Sequence, residues 1–248
     1  MKKERIDKLL HEQGFADSRT KAQALVMSGV VLVDEKRVEK PSETFLPDSN
    51  IRIKGESAES RFVGRGGLKL EAALEAFHIR TDEYVCLDVG SSTGGFTDCL
   101  LQNGAERVVA IDSGTNQLVW KLRNDPRVES RENTNARGLK PEDFDTLFDL
   151  IVMDVSFISV TKILQALVPL LKASGRIIVL VKPQFEVGKG EVGKGGIVRE
   201  AEKHERVITE VNAFAADICL INTGLIESPI LGAEGNKEFL ALYERTEK

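Results

Sequence analysis

A buried-type strand that runs into a glycine-rich turn constrains the fold of this chain more than any other feature of its sequence. The strand is predicted over residues 84–89, and the turn follows within DVGSSTGGF at residues 88–96. Helical patterns then alternate with further buried strands predicted at 107–112, 148–154 and 175–182. Such alternation predicts an α/β fold in which helices cover both faces of a doubly wound, mostly parallel sheet.

The glycine-rich turn lies where a sheet of this kind binds nucleosides, because ligands sit beyond the carboxyl ends of its strands. The second predicted strand ends in Asp112, 22 residues after Gly90, and a carboxylate there can accept both hydrogen bonds of a ribose diol. NAD requires G-x-G-x-x-G, but Ser92 replaces the second glycine, so the turn favours S-adenosylmethionine. The predicted cofactor-binding residues are Asp88, Gly90, Ser91, Gly94, Gly95, Phe96, Asp112 and Asn135.

Charge is unevenly distributed along the chain. Residues 1–69 carry 14 Lys and Arg against 11 Asp and Glu, and the remainder carries 20 against 28. A basic end on an acidic body indicates that one part approaches phosphates, although an excess of three charges can also arise by chance.

A small α+β module is predicted at the basic end. One helix starts at Arg5 and ends near Gly14, Ser18 caps a second, and β-rich stretches follow. Its basic side chains form either a phosphate-facing surface or the solvated face of an ordinary small domain. The polar stretch 55–60 indicates a boundary, so we expect three segments. These are an N-terminal domain at 1–60, a linker at 61–67 and a second domain at 68–248.

Motifs in both halves resemble known families. RIDKLL, SRTKA and SGVVLVDEKRVEKPS resemble the RNA-binding domain named after ribosomal protein S4. RGGLKL, GSSTGGFTD, DVSFIS, VKPQFE and GNKEF resemble the TlyA family of ribosomal RNA methyltransferases, often labelled hemolysin-like. The catalytic domain of that family is similar to the Rossmann-like, FtsJ type of ribose 2′-O-methyltransferase, whose last strand is antiparallel.

The resemblance extends over essentially the whole chain and implies a function. It implies transfer of a methyl group to a cytidine 2′-hydroxyl of large-subunit ribosomal RNA, sometimes also of the small subunit. It implies that Arg5, Arg19 and Lys40 guide RNA, and that a catalytic tetrad matches Lys69, Asp154, Lys182 and Glu238.

The positions of the four tetrad residues support the same site. Asp154 ends the strand predicted at 148–154, Lys182 ends the one predicted at 175–182, and Glu238 begins a final strand at 239–243. If that strand is antiparallel, its beginning meets the other strands' ends, whereas Lys69 comes from the helix before the first strand. Any one of these charges could instead form a surface salt bridge. Lys182 would either take the hydroxyl proton or stabilise the developing alkoxide, with Lys69 adding positive charge.

Three further features have two interpretations each. Arg65 lies in a stretch that could contact RNA or be a mere hinge. Phe157 could stack on an extruded nucleobase or pack in the core. Residues 188–194 match the first seven positions of a P-loop, but Gly195 replaces the required Ser or Thr, which argues against nucleotide hydrolysis. That segment is either an RNA-contacting flap or an ordinary surface loop.

Other functions fit less well. Base methylation would favour an Asp-Pro-Pro-aromatic motif where the chain has Asp154-Val155-Ser156-Phe157, and no cysteine lies between Cys99 and Cys219 to attack cytosine. A non-enzymatic ribosome-assembly factor remains an alternative.

The sequence also leads to general expectations. We expect no metal site, no membrane-spanning segment and no obligate protein partner. We expect a cytoplasmic location, with ribosomal RNA or a ribosomal subunit as the partner.

Overall fold

The chain forms two units in a computed structural model, Met1–Arg61 and Phe62–Lys248. The structure describes residues 3–13, 15–16, 18–34, 36–47, 49, 51–53, 61–188, 190–232 and 235–246. Gly14, the predicted end of the first helix, and the polar stretch 55–60 lie outside these residues. Within the described ranges, no helix has the length and apolar character that a membrane crossing requires.

The N-terminal unit packs two helices against short antiparallel strands. Its elements are β1 (Glu4–Arg5), α1 (Ile6–Glu12), α2 (Arg19–Met27), β2 (Val31–Val33), β3 (Lys36–Arg37), β4 (Thr44–Phe45) and β5 (Ile51–Ile53). β2 pairs with both β3 and β5, and β1 pairs with β4. Ser18 caps α2 as predicted, because its hydroxyl accepts a hydrogen bond from the backbone N–H of Lys21 at 3.3 Å.

The second unit alternates helices and strands along the chain. Its elements are α3 (Gly66–Ala76), β6 (Val85–Val89), α4 (Gly95–Gln102), β7 (Arg107–Ile111), α5 (Trp120–Arg123), β8 (Val128–Arg131), β9 (Phe148–Met153), α6 (Thr161–Leu167), β10 (Leu171–Val181), α7 (Pro183–Glu186), α8 (Ala201–Asp217), β11 (Leu220–Glu227) and β12 (Phe239–Arg245).

The seven strands of this unit form one sheet in the order β11-β12-β10-β9-β6-β7-β8. β12 runs antiparallel to both of its neighbours, and the central pairs are parallel. The predicted fold class is therefore confirmed. After β8 the chain returns to the other side of β6, so the crevice between the ends of β6 and β9 is the switch point at which such sheets bind ligands.

Both faces of the sheet are covered. In β9, Leu150 and Val152 pack on the side of α3 and α4, and Ile151 and Met153 pack on the side of α6 and α8. All four side chains are fully buried. Burial on both faces explains why the central strands read as continuous apolar runs rather than as alternating ones.

Two features of the second unit differ from the sequence-based expectations. The edge strands β8 and β11 are not predicted, because an edge strand with charged or exposed side chains lacks an apolar run. The segment 61–67 is not a linker throughout: Phe62 is 4% exposed in the core beside α3, which begins at Gly66. Gly67 permits this packing because it has no side chain: a Cβ at this position would lie only 2.3 Å from the Phe62 ring and would clash with it.

Candidate active site

The glycine-rich turn between β6 and α4 needs its glycines for close backbone approach. Gly90 has a φ of +86°, and a Cβ there would lie 2.2 Å from the backbone oxygen of Asp154. Gly94 has a φ of +102° and precedes α4, and a Cβ there would lie 2.3 Å from Leu122. The turn therefore fits against the end of β9 and against α5 only when side chains are absent at these two positions.

A cavity of about 730 Å³ opens at the switch point, beside this turn. Its volume is within the roughly 300–1,000 Å³ range of small-molecule sites. Gly90, Asp112 and Asn135 line it, as predicted for cofactor-binding residues. The Asp112 carboxylate accepts hydrogen bonds from the backbone N–H groups of Ser92 at 2.8 Å and Gly114 at 2.7 Å. Each oxygen takes one of them and keeps a free lone pair, which suits a ribose diol.

Asn135 is fixed at the wall of the same cavity. Its side-chain oxygen accepts hydrogen bonds from the backbone N–H of Arg137 at 3.1 Å and from the Arg137 guanidinium at 3.3 Å. The amide nitrogen of Asn135 is then the donor that remains for a ligand.

A smaller cavity of about 120 Å³ continues from the first, with which it shares Gly90, Ser92 and Asp154. The predicted residues Ser91, Gly95 and Phe96 line this part. Gly64, Arg65 and Gly66 form another part of its wall. Sequence analysis assigned those three to a linker and missed this role. Only their position around the start of the helix that carries Lys69 could have indicated it.

Asp88 lies beneath the turn rather than on the wall of either cavity. Its side chain is fully buried, its Oδ2 accepts a hydrogen bond from the Thr97 hydroxyl at 2.6 Å, and its Oδ1 has no hydrogen-bond partner in the described part of the chain. Burial raises the pKa of this carboxyl to about 7. An unpartnered buried carboxylate oxygen next to the turn suits a positively charged ligand such as S-adenosylmethionine.

The raised pKa of Asp88 predicts a pH-dependent stability. Between the ordinary Asp value of 3.8 and about 7, the folded chain binds more protons at Asp88 than the unfolded chain does, so its contribution to stability falls as pH rises through this window. We expect Asp88→Asn to increase the free energy of unfolding at pH 8 by a few kcal/mol and to change it little at pH 4. Urea unfolding at both values measures this, and an equal effect at both would contradict it.

The four predicted tetrad residues form two ion pairs, of which Lys69–Glu238 is buried and Lys182–Asp154 is partly buried. Lys69 Nζ lies 2.5 Å from Glu238 Oε2, and Lys182 Nζ lies 2.5 Å from Asp154 Oδ1. The two lysines are each 8% exposed and Glu238 is 2% exposed. Lys182 also donates a hydrogen bond to Ser156 Oγ at 3.0 Å.

Strand register explains why the two pairs lie at one edge of the sheet. Val181 of β10 pairs with Phe239 of β12, so Lys182 and Glu238 occupy adjacent strand ends. β9 is the other neighbour of β10 and ends directly before Asp154. A Cβ on Gly66, at the start of the helix that carries Lys69, would lie 4.0 Å from Asp154 Oδ2. The sheet and α3 thus bring all four residues to one edge of the sheet, where Asp154 also lines both cavities.

Buried Asn236 lies two residues before Glu238 and was missed in the sequence analysis. Its side chain accepts a hydrogen bond from Val198 N at 3.0 Å and donates one to Gly196 O at 2.9 Å. It thereby ties the end of the glycine-rich segment to the residues that precede β12. Its only sequence signal is its place within GNKEF.

The glycine-rich segment after α7 is anchored to α8. Glu191 forms an ion pair with Arg206 at 2.8 Å and accepts a hydrogen bond from Gly188 N at 3.0 Å. Lys189 lies outside the described residues. These contacts hold the segment as a surface loop next to the site, and contact with RNA stays a prediction.

Phe157 and Arg65 are available at the rim of the cavities. Phe157 is 91% exposed, lines the larger cavity and has its ring centroid 5.1 Å from that of Phe185. The interpretation that Phe157 packs in the core is therefore wrong. The exposed side chain of Arg65 donates to the backbone oxygen of Leu231 at 3.4 Å.

In the N-terminal unit, two of the predicted RNA-contacting side chains are held together. Arg5 and Arg19 form ion pairs with the buried Asp7 at 2.9 Å and 3.2 Å. Hydrogen bonds from Arg5, Gln23 and Arg19 hold the pKa of Asp7 well below its ordinary value. Lys40, the third predicted RNA-contacting residue of this unit, is exposed. The two guanidinium groups are thus oriented in advance by one carboxylate.

The sheet order, the antiparallel β12 and the cavity at the switch point define the second unit as a Rossmann-like, S-adenosylmethionine-dependent methyltransferase. The FtsJ-like methyltransferase family matches residues 62–245, and the S4 domain matches residues 4–51.

Relatives extend the match to the whole chain. The chain is 44% identical over 243 residues to the 16S/23S rRNA (cytidine-2′-O)-methyltransferase TlyA of Mycobacterium tuberculosis, covering 98% of this chain and 90% of the relative. It is 42% identical over 240 residues to Hemolysin A of Brachyspira hyodysenteriae, covering 96% and 99%. A solved structure from Streptococcus thermophilus has 47% identity and a TM-score of 0.76, covering 100% and 90%. The chain therefore belongs to the TlyA family of FtsJ-like methyltransferases.

This membership confirms three predictions: the family, the methyltransferase activity and the S-adenosylmethionine cofactor. The residues around the turn suit that cofactor, because Asp112 and Asn135 offer polar groups at the wall of the larger cavity and a buried oxygen of Asp88 has no partner among the described residues. The non-enzymatic scaffold is thereby the weaker alternative.

Proposed function

We propose that this protein methylates the ribose 2′-hydroxyl of a cytidine in ribosomal RNA, with the large subunit as its main substrate and the small subunit as a second candidate. The observation that carries the proposal is the presence of two lysine–carboxylate ion pairs at the edge of the sheet, where Asp154 lines the cofactor cavity. The name of the M. tuberculosis relative specifies the same reaction on 16S and 23S rRNA.

The side chains at this edge suit oxygen methylation. When bound, S-adenosylmethionine supplies a methyl group on a sulfonium that is already a good leaving group. The ribose 2′-oxygen would take this methyl as the carbon–sulfur bond breaks, and its hydroxyl proton would pass to water. The protein has to align this weakly acidic hydroxyl and stabilise the negative charge that develops on its oxygen. Asp154 and Ser156 together take two of the three N–H bonds of the Lys182 ammonium, so one remains to donate to that oxygen.

Lys69 adds a second positive charge. Because it is buried against Glu238, its side chain is fixed before the substrate arrives, and little reorganisation is needed at the moment of reaction. Both lysines are therefore proposed as catalytic residues, with Asp154 and Glu238 orienting them.

The remaining predicted contacts suit a structured RNA. An S4 domain in the N-terminal unit carries Arg5 and Arg19, which both pair with Asp7, and the exposed Lys40. We propose that these three side chains guide the phosphate backbone.

A ribose inside paired RNA is hard to align with a cofactor, and the exposed Phe157 offers a ring on which an extruded base could stack. Arg65 lies at the same rim. A ribosomal partner implies that the protein works in the cytoplasm.

Base methylation is less consistent with the site. The motif that starts at Asp154 lacks the two prolines typical of amino-methylating enzymes. Cys86 is fully buried, and burial raises the pKa of its thiol, which makes it a poor nucleophile. Cys99 is also fully buried, within the core beside α3.

The proposal is tested by mapping where the methyl group goes. Isolated large and small ribosomal subunits are incubated with the full-length protein and methyl-labelled S-adenosylmethionine, and the RNA is hydrolysed with alkali. A 2′-O-methyl group blocks cleavage of the neighbouring linkage, so we expect label in alkali-resistant dinucleotides that begin with cytidine. Label on a nucleobase, or no label in either subunit, would refute the assignment.

A variant of Asp112 tests the cofactor cavity. Asp112→Ala removes the acceptors of the ribose diol and is expected to weaken binding of S-adenosylmethionine by about 10²-fold, because hydrogen bonds to charged groups are each worth about 1.5–3 kcal/mol. Calorimetric titration measures the affinity. Asp125→Ala, which removes a carboxylate paired with Arg127 away from the cavity, is the matched control and should bind normally. Unchanged affinity in Asp112→Ala would exclude this carboxylate from the cofactor site.

A further inference from the structure

The loop between β9 and α6, residues 154–160, supplies a second polar contact to Lys182. Lys182 Nζ lies 2.5 Å from Asp154 Oδ1 and 3.0 Å from Ser156 Oγ. An ammonium has three N–H bonds, so these two acceptors leave one for a substrate oxygen. Two contacts also restrict rotation of the long lysine side chain much more than a single one does.

The same loop is fastened to the segment that follows Lys182. Glu186 Oε1 accepts a hydrogen bond from Val160 N at 2.9 Å, and the ring of Phe185 lies 5.1 Å from that of Phe157. Because the loop is held in this way at Phe157 and at Val160, the distance from Ser156 to Lys182 is set by the fold rather than by free rotation of the two side chains.

Backbone conformation next to Ser156 points to a functional constraint. Phe157 has a φ of +65°, which costs a bulky side chain of order 1–3 kcal/mol and persists only when surrounding contacts enforce it. The Phe157 ring is nevertheless 91% exposed, so core packing does not explain the strain. The strained residue directly follows the serine that contacts the lysine.

We propose that Ser156 is a positioning residue for methyl transfer. Its hydroxyl oxygen accepts one N–H of Lys182, and Asp154 accepts another, so that the remaining N–H of the ammonium is directed at the ribose oxygen. This inference rests on the proposed function. Ser156 lines the larger cavity and is itself exposed, so its substitution should leave the fold intact.

The experiment compares Ser156→Ala and Ser156→Thr in the full chain. Methyl transfer from labelled S-adenosylmethionine to isolated ribosomal subunits gives kcat and the KM for each substrate. We expect Ser156→Ala to lower kcat about 10-fold or more, as loss of a hydrogen bond to a charged group does, with both KM values unchanged. Ser156→Thr keeps the hydroxyl and is expected to recover most of the kcat.

A matched control separates positioning from loop stability. Ser159→Ala removes a hydroxyl of the same loop that bonds to Thr161, and it is expected to keep a kcat near that of the wild type. Wild-type kcat in Ser156→Ala, or equal losses in the Ala and Thr variants, would overturn the inference while leaving the proposed function intact. A wild-type protein that places no methyl on ribose would overturn both.

Discussion

Lys182→Ala is expected to lower the rate of methyl transfer to ribose by about 10³-fold while leaving the affinity for S-adenosylmethionine nearly unchanged. Removing one donor to a developing oxyanion typically costs 10²–10³-fold in kcat, and loss of a proton-transfer group costs about 10²–10⁴-fold. The larger cavity is lined by Asp112, Asn135 and the glycine turn rather than by Lys182, so cofactor binding should persist. The expected loss is therefore in kcat.

The matched control for Lys182→Ala lies at the other end of the same strands. Lys172 of β10 forms an ion pair with Asp149 of β9 at 2.8 Å, and its side chain is 40% exposed. Lys172→Ala removes the same atoms from an analogous pair and should retain activity within about twofold, as expected of an exposed pair. Single-turnover assays on ribosomal subunits give the rates, and calorimetry gives the cofactor affinity. Transfer by Lys182→Ala at the wild-type rate would remove this lysine from the mechanism.

The centre of the sheet is predictable from sequence because its strands are buried on both faces. β6, β7, β9 and β10 each read as an apolar run that ends in polar residues. The edge strands do not read in this way. In β8, Glu129 forms ion pairs with both Arg131 and Arg107, and in β11, Ile221 and Leu225 are exposed. Their pairing depends on neighbours distant in sequence, which a local pattern does not contain.

The sequence predicts which residues form the charged site, but it does not predict which lysine pairs with which carboxylate. Parallel strands place Asp154 and Lys182 at one edge, and an antiparallel last strand adds Glu238, so motif order suffices to group them. Which lysine meets which carboxylate depends on the register of β10 with β12 and on the approach of α3. For the same reason the contact between Ser156 and Lys182 appears only in the folded chain.

Glu238→Ala is expected to impair stability and activity together. The Lys69 and Glu238 side chains are 10% and 2% exposed, so removal of the carboxylate leaves a buried ammonium without its partner. Breaking one side of a buried pair typically costs about 3–5 kcal/mol of unfolding free energy. Activity should fall as well, because Lys69 is no longer held beside the site. Urea unfolding and the ribose methylation assay measure the two effects on one preparation.

A double variant separates the two effects of Glu238→Ala. Lys69→Met combined with Glu238→Leu replaces both charges by apolar groups of similar volume, which often restores the stability lost by breaking a buried pair. We expect its unfolding free energy to return to within about 1–2 kcal/mol of the wild type, while methyl transfer stays low because the second positive charge is gone. Recovery of activity together with stability would show that the pair only supports the fold, and catalysis would then depend on Lys182 and Asp154 alone.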